Sequence, residues 1–221
     1  MELVERKIIP AETEVENEWL KSALNPYESD DIRYQYKKLD MVLELQCKSA
    51  NEIEQLKSRL RKELTKATIK FSDIDYYYTG TAQSIDFDPS VSIPGMYEGD
   101  LSVSFLAIAE GEQRSESIGT SKTIQVLGDD ITPCIVEVTP TVGLASVVLT
   151  GLSEESTTIK NLSANQKVIL NGEKCLVTQN GNNKFADCDF WQFPRLNPGE
   201  NKITVSQSSC SVVVKYKPRY L

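Results

Sequence analysis

The sequence predicts a mainly β protein with a minor α component, arranged as two domains. Apolar and polar residues alternate through most of the chain, and a single stretch has helical periodicity. Near residue 120 the texture changes from long strands to short ones cut by turns. With 221 residues, each half is long enough to bury a core of its own.

The first clear strand runs up to Cys47. Leu39, Met41, Leu43, Leu45 and Cys47 alternate with Lys38, Asp40, Glu44 and Gln46, and only Val42 breaks the period of two. A helix is predicted next, near residues 50–66. Ser49 and Glu52 form an S-x-x-E capping box, in which each side chain can satisfy a free N–H at the helix start. Ile53, Leu56, Leu60 and Leu64 then fall on one stripe. Arg59, Arg61, Lys62 and Lys66 gather at the end where positive charge suits the macrodipole. We read that cluster as a solvated helix end and not a nucleic-acid patch, because its surroundings are acidic.

Strands resume with TIKF, DIDYYYTGTA and LSVSFLAIA, and Leu101, Val103, Phe105, Ala107 and Ala109 keep the alternation. Residues 1–120 are thus predicted as an N-terminal β domain with one amphipathic helix. Its last stretch, EGEQRSESIGTS at 110–121, reads as a linker. Residues 121–221 offer TIQVL, CIVEV, ASVVL, KVIL, CLV, KITV and SVVVKY. Asn171-Gly172 and Asn180-Gly181 supply the positive φ angles of tight hairpin turns. This spacing predicts an antiparallel sandwich.

Composition excludes several classes of chemistry. The chain has no histidine, which rules out Ser-His-Asp triads, Cys-His pairs and His-ligated zinc. Its net charge is −8, unfavourable for tight binding to DNA phosphates. The acidity is uneven: residues 1–120 hold 14 Lys+Arg against 23 Asp+Glu, and residues 121–221 hold 10 against 9. Five cysteines at irregular spacing, none as C-x-x-C, read as reduced thiols. The chain shows no signal-peptide pattern and no apolar run of membrane-spanning length, so a soluble protein made in a cytoplasm is expected, with no membrane partner.

Few constellations suggest a site. Asp73 with Asp75, and Asp86 with Asp88, could pair carboxylates on a strand face for a divalent cation or for glycosidase chemistry. Solvent-facing strand edges explain them more simply, since no ligand spacing accompanies them. Tyr76, Tyr77 and Tyr78 could stack on a sugar or face a core or a partner subunit. Asn161-Leu-Ser163 fits a glycosylation sequon without a secretory route to support it. The sequence contains neither a Walker A run nor G-x-G-x-x-G. No catalytic residue, metal ligand or cofactor is assigned.

The C-terminal run is more distinctive. FWQFPRLNPGEN starts at Phe190, and Pro194 and Pro198 keep it out of a central strand. Pro198-Gly199 reads as a type II turn. Phe193, Pro194, Leu196, Pro198, Gly199 and Asn201, followed by a terminal Tyr216-Lys-Pro218-Arg219, resemble the carboxyl end of siphophage distal tail proteins. The order LDMVLEL, SANEIEQLKSRL, IKFSDIDYYYTG is similar to that family's N-terminal domain. The resemblance covers roughly residues 36–221. Over residues 1–35 it implies an opening strand and a V-P-G-R-D-G-like segment, where this chain reads VERKIIPAETEVENEWL.

The resemblance implies a non-enzymatic virion structural protein. Its N-terminal domain would close into a homohexameric ring, with a galectin-like sandwich facing outward. The ring would join the tail tube to the tail tip or baseplate, anchor tail-associated proteins, and let DNA pass without specific binding. The expected location is the virion tail of a phage or prophage, assembled in the bacterial host cytoplasm. The alternative is a carbohydrate-binding sandwich for host-surface attachment, with Trp191 as its contact.

Overall fold

The computed structural model describes residues 2–10, 13–15, 32–34, 36–89 and 97–221. The chain divides into two compact units, Met1–Ala109 with Leu221, and Glu110–Tyr220.

The first unit contains β1 (Glu2–Ile9), β2 (Thr13–Val15), β3 (Ile32–Tyr34), β4 (Lys37–Cys47), the helix α1 (Ala50–Leu64), β5 (Ala67–Lys70), β6 (Tyr77–Pro89) and β7 (Tyr97–Glu110). β2 and β3 pair with each other, and the remaining strands lie in the order β1-β4-β7-β6-β5. The opening strand implied by the resemblance is therefore present as β1; residues 16–31 lie outside the described residues. In the β4–β7 register, Leu39 faces Phe105, Met41 faces Val103 and Leu43 faces Leu101, so both strands send their apolar residues to one side. α1 covers that core with Ile53 and Leu60 buried. Ser49 Oγ accepts from the Glu52 N–H at 3.2 Å, as a capping residue should. The Glu52 carboxylate reaches the Lys48 N–H at 2.9 Å, one residue earlier than the usual capping box.

β1 and β5 stand at opposite ends of the strand order, yet one side chain joins them. The Arg6 guanidinium on β1 donates two hydrogen bonds to the Asp73 carboxylate, just beyond β5. It also lies over the Phe71 ring, 4.6 Å from the centroid. The hydrogen bond from Arg6 holds the Asp73 carboxyl below the usual carboxylate range. The sheet therefore curls until its two margins are tied.

The second unit contains β8 (Arg114–Ile118), β9 (Ser121–Val126), β10 (Thr132–Pro140), β11 (Leu144–Thr150), β12 (Thr157–Leu162), β13 (Val168–Asn171), β14 (Leu176–Gln179), β15 (Asn182–Asn183), β16 (Cys188–Asp189), β17 (Arg195–Leu196), β18 (Gly199–Val205), β19 (Cys210–Tyr216) and β20 (Arg219–Tyr220). One sheet runs β15-β14-β13-β10-β19-β8, with β17 also on β10, and the other runs β16-β12-β11-β18-β9. Val136, Val138, Val212 and Val214 of the first sheet share a core with Val147, Leu149, Ile159 and Ile203 of the second. Each such side chain contributes about 1.5–3 kcal/mol by leaving water. This is the expected antiparallel sandwich.

Three local readings are corrected. Residues 110–121 are not a linker throughout: β8 pairs along β19, Ile118 against Val212 to Arg114 against Tyr216. It is an edge strand, so only Ile118 needs to be apolar. β12 has no counterpart among the expected strands, because Lys160 and Asn161 interrupt its alternation. Asn171-Gly172 does not form a two-residue turn. Asn171 Oδ1 instead accepts from the Glu173 and Lys174 N–H groups at 3.0 and 2.9 Å, and the positive φ falls later, at Cys175. Asn180-Gly181 does have φ of 51° and 80° and joins β14 to β15 as expected.

On the outer face of the first sheet, Glu137 accepts from Lys167 Nζ at 2.8 Å and Lys215 Nζ at 2.6 Å. These bonds, Lys167 first, hold its carboxyl below the usual range. A lowered native pKa means that this stabilisation exists above the unfolded value of about 4.3 and fades as pH falls through the native one. Glu137→Gln should therefore cost about 1 kcal/mol in urea unfolding at pH 7. The gap from the native sequence should narrow as pH falls below about 4; a penalty that does not change with pH would exclude the ion pairs as its source.

Candidate functional site

Most of the distinctive C-terminal residues serve the sandwich itself. Leu196 and Tyr216 are buried in its core. Gly199 has φ of +86°, the left-handed conformation required where Pro198 turns the chain. Asn201 staples that turn: its Oδ1 accepts from the Asn197 N–H at 2.9 Å, and its Nδ2 donates to the carbonyls of Asn197 and Gly199 at 2.7 and 3.1 Å. Buried Pro218 accepts from the Gly111 N–H at 2.7 Å.

Phe193, Pro194 and Arg219, distant in sequence, meet on one cleft of about 520 Å³. Three hydrogen bonds between distant segments build it, two of them wholly within the backbone. The Cys134 N–H donates to the Pro194 carbonyl at 3.1 Å, and the Gly172 N–H donates to the Cys134 carbonyl at 2.9 Å. The Arg219 N–H reaches Thr132 Oγ1 at 3.1 Å. Gly172 is required here by close approach, because a Cβ would lie 2.1 Å from the Pro194 carbonyl oxygen. Beside the cleft, Phe190 and Phe193 pack edge to face at 5.0 Å, and Phe185 stacks within 6.1 Å of both. Trp191 is 84% exposed. Sequence reasoning found Phe193, Pro194, Arg219 and Trp191. It missed the opposite walls at Asp130–Pro133 and Gly172–Cys175, where only the Asn171-Gly172 turn signal hinted at a feature.

The tyrosine run does not form a platform. Tyr78 is 2% exposed and packs on Phe71 with centroids 5.7 Å apart, so it is withdrawn as a sugar or partner contact. Tyr77 lies beneath Lys70 Nζ at 4.7 Å, and Tyr76 is half-buried. The aspartates also separate. Asp73 and Asp75 precede β6 in a turn, so strand periodicity does not align them, whereas Asp86 and Asp88 lie within β6. Among the described residues, no three Asp, Glu, Cys or His side chains converge as metal ligands. Asn161 of the sequon donates to Asp187 Oδ1 at 2.8 Å. All five cysteines are free, and burial pushes the Cys134 and Cys210 thiols up and that of Cys188 to about 11.

The first unit has a different character. With the division at Ala109, it holds 13 Lys+Arg against 20 Asp+Glu. On the outer face of its sheet Glu2 lies opposite Glu44, and Glu44 lies opposite Asp100. Three exposed carboxylates thus stand side by side across β1, β4 and β7. Directly opposed like charges destabilise a sheet.

Residues 127–220 match the family model described as SPP1 Dit, siphovirus-type tail component, C-terminal domain. The structure also resembles that of SPP1 Dit, described as a paradigm of the hub adsorption apparatus in phages infecting Gram-positive bacteria. The TM-score is 0.73 at 10% identity, over 99% of this chain and 94% of that one. The chain is similar to siphophage distal tail proteins. It also resembles a chain in each of two structures of the phage P2 baseplate in its activated conformation, one with calcium (TM-score 0.54, 10% identity, 96% of this chain and 89% of that one) and one with strontium (TM-score 0.54, 10% identity, 99% and 91%). At such identities the structural likeness is one of fold. A search of the curated proteins returned no match. Among the described residues, no helix is long and apolar enough to cross a membrane.

Asn201→Ala removes three hydrogen bonds that a buried side chain makes to the Asn197–Gly199 turn and should lower unfolding stability by about 2 kcal/mol, measured by urea titration; an effect below about 0.5 kcal/mol would deny the staple its role. Conversely, Glu44→Gln with Asp100→Asn should raise stability at low salt by about 0.5–1 kcal/mol, and added salt should shrink the gain. A loss of stability would show that the carboxylate row is not repulsive.

Proposed function

We propose that this chain is a distal tail hub, a non-enzymatic structural part of a phage tail. Six copies close into a ring that joins the tail tube to the tail tip or baseplate and anchors tail-associated proteins. The full-length fold likeness to SPP1 Dit carries this reading, supported by the family match over residues 127–220. Assembly takes place in the cytoplasm of the bacterial host, and the hub ends in the virion tail.

The acidic first unit supports the passage of DNA. A row of carboxylates on a ring's inner wall repels phosphates, so the duplex slides through without being held. Such a row weakens the isolated subunit, which is understandable where the face serves the assembly. A permanent ring needs subunit interfaces on the order of 2,000 Å² or more.

Light scattering on the purified chain, alone and with tail tube protein, tests the reading. Six 24.7-kDa subunits should give a closed particle of about 148 kDa with sixfold views in negative stain. A particle that stays at subunit mass under both conditions overturns the hub assignment.

A further inference from the structure

The chain holds two Asn-Gly pairs, Asn171-Gly172 and Asn180-Gly181, and the fold treats them in opposite ways. The dipeptide is chemically reactive. Glycine has no side chain to shield its backbone nitrogen, so that nitrogen can attack the carboxamide of the preceding asparagine. Attack needs an unengaged nitrogen, a carboxamide free to turn and a main chain with room to move.

At Asn171 these needs go unmet. The Gly172 N–H donates to the Cys134 carbonyl at 2.9 Å. Asn171 Oδ1 is held by the Glu173 and Lys174 N–H groups at 3.0 and 2.9 Å. The main chain is walled in as well, since a Cβ on Gly172 would lie 2.1 Å from the Pro194 carbonyl oxygen and 2.8 Å from that of Cys134. Reaction there requires these hydrogen bonds to break and the packed segments to part.

Asn180 is placed otherwise. Asn180 and Gly181 are both exposed, and a Cβ on Gly181 would meet nothing within 4 Å. Their φ angles of 51° and 80° set them at the tip of the β14–β15 hairpin. Its ladder is two pairs deep, Gln179 with Asn182 and Thr178 with Asn183. So short a ladder opens locally while the sandwich core stays closed.

We propose that Asn180 is a site of spontaneous covalent modification, in which the hairpin tip converts its own carboxamide to a carboxylate. The Gly181 nitrogen gives up its proton to water and bonds to Asn180 Cγ; the Cγ–Nδ2 bond breaks and ammonia leaves. Water then opens the cyclic imide. Attack at Cγ yields aspartate, and attack at the main-chain carbonyl yields isoaspartate, with the chain routed through Cβ. The sum is one amide and one water giving one carboxylate and one ammonium. Both products add a negative charge to the tip, and isoaspartate adds a main-chain atom that the two-residue turn does not accommodate. The site lies in the second unit and stands apart from the hub reading.

The test keeps the full chain folded in neutral and in mildly alkaline buffer, with a parallel sample unfolded in guanidinium. Samples taken over weeks are digested and mapped by mass spectrometry, and isoaspartyl methyltransferase labelling separates the two products. In the folded chain Asn180 should convert at least about tenfold faster than Asn171, and faster still in the alkaline buffer. In guanidinium the two rates should converge, because only the shared Asn-Gly chemistry remains. Asn180→Gln should abolish the acidic species that accumulates on anion exchange. Equal rates in the folded chain overturn the proposal. So does a folded Asn180 that stays intact while the unfolded one reacts, or an acidic species that persists in Asn180→Gln.

Discussion

The C-terminal sandwich depends on the backbone of Cys134. Its N–H is taken by Pro194, its carbonyl by Gly172, and it lies opposite Tyr216 in the β10–β19 ladder. Three segments that are remote in sequence are thereby fixed through main-chain atoms, whose donors only a substitution to proline would remove. Only their side chains are negotiable. This is why the neighbouring positions are so constrained: Gly172 has no room for a methyl group, Pro194 needs no donor of its own, and Cys134 itself is a small thiol that fits a closed space. The cleft is what remains where these three segments cannot approach further.

Legibility in the sequence followed burial. β4 and β7 were readable because one face is buried and the other wet, so the period of two is written almost without error. The helix was readable for the same reason at its own period, down to the capping serine. β8 was hidden because a sandwich edge exposes nearly all of its side chains, and Arg-Ser-Glu-Ser satisfies that position as well as it would a loop. The Asn171 turn misled because its side chain competes for backbone donors, a choice decided by tertiary contact at Gly172.

The candidate site was legible in part. Phe193, Pro194 and Arg219 were singled out as a pattern, but nothing in their spacing places them around one cavity; that requires the β10 and β13 registers. Tyr78 chooses between two readings of the tyrosine run. A surface platform and a core-facing strand were both open, and the fold sends its last member into the core. The two units also divide their labour by charge. The first carries the acidic excess on an exposed sheet face, whereas the second combines near-balanced charge with exposed aromatic rings.

The brace from Arg6 to Asp73 also has a meaning in time. β1 precedes every residue that holds it: its ladder partner β4 begins at Lys37, and its ion-pair partner lies 67 residues away. During synthesis the strand must therefore wait, unpaired, while β4, the helix and β5 are made. The charged residues Glu2, Glu5, Arg6 and Lys7 suit such an interval, because a strand edge studded with charge is a poor template for another chain. Once Asp73 arrives, a single guanidinium ties β1 to a residue made 67 positions after it and closes that margin of the sheet.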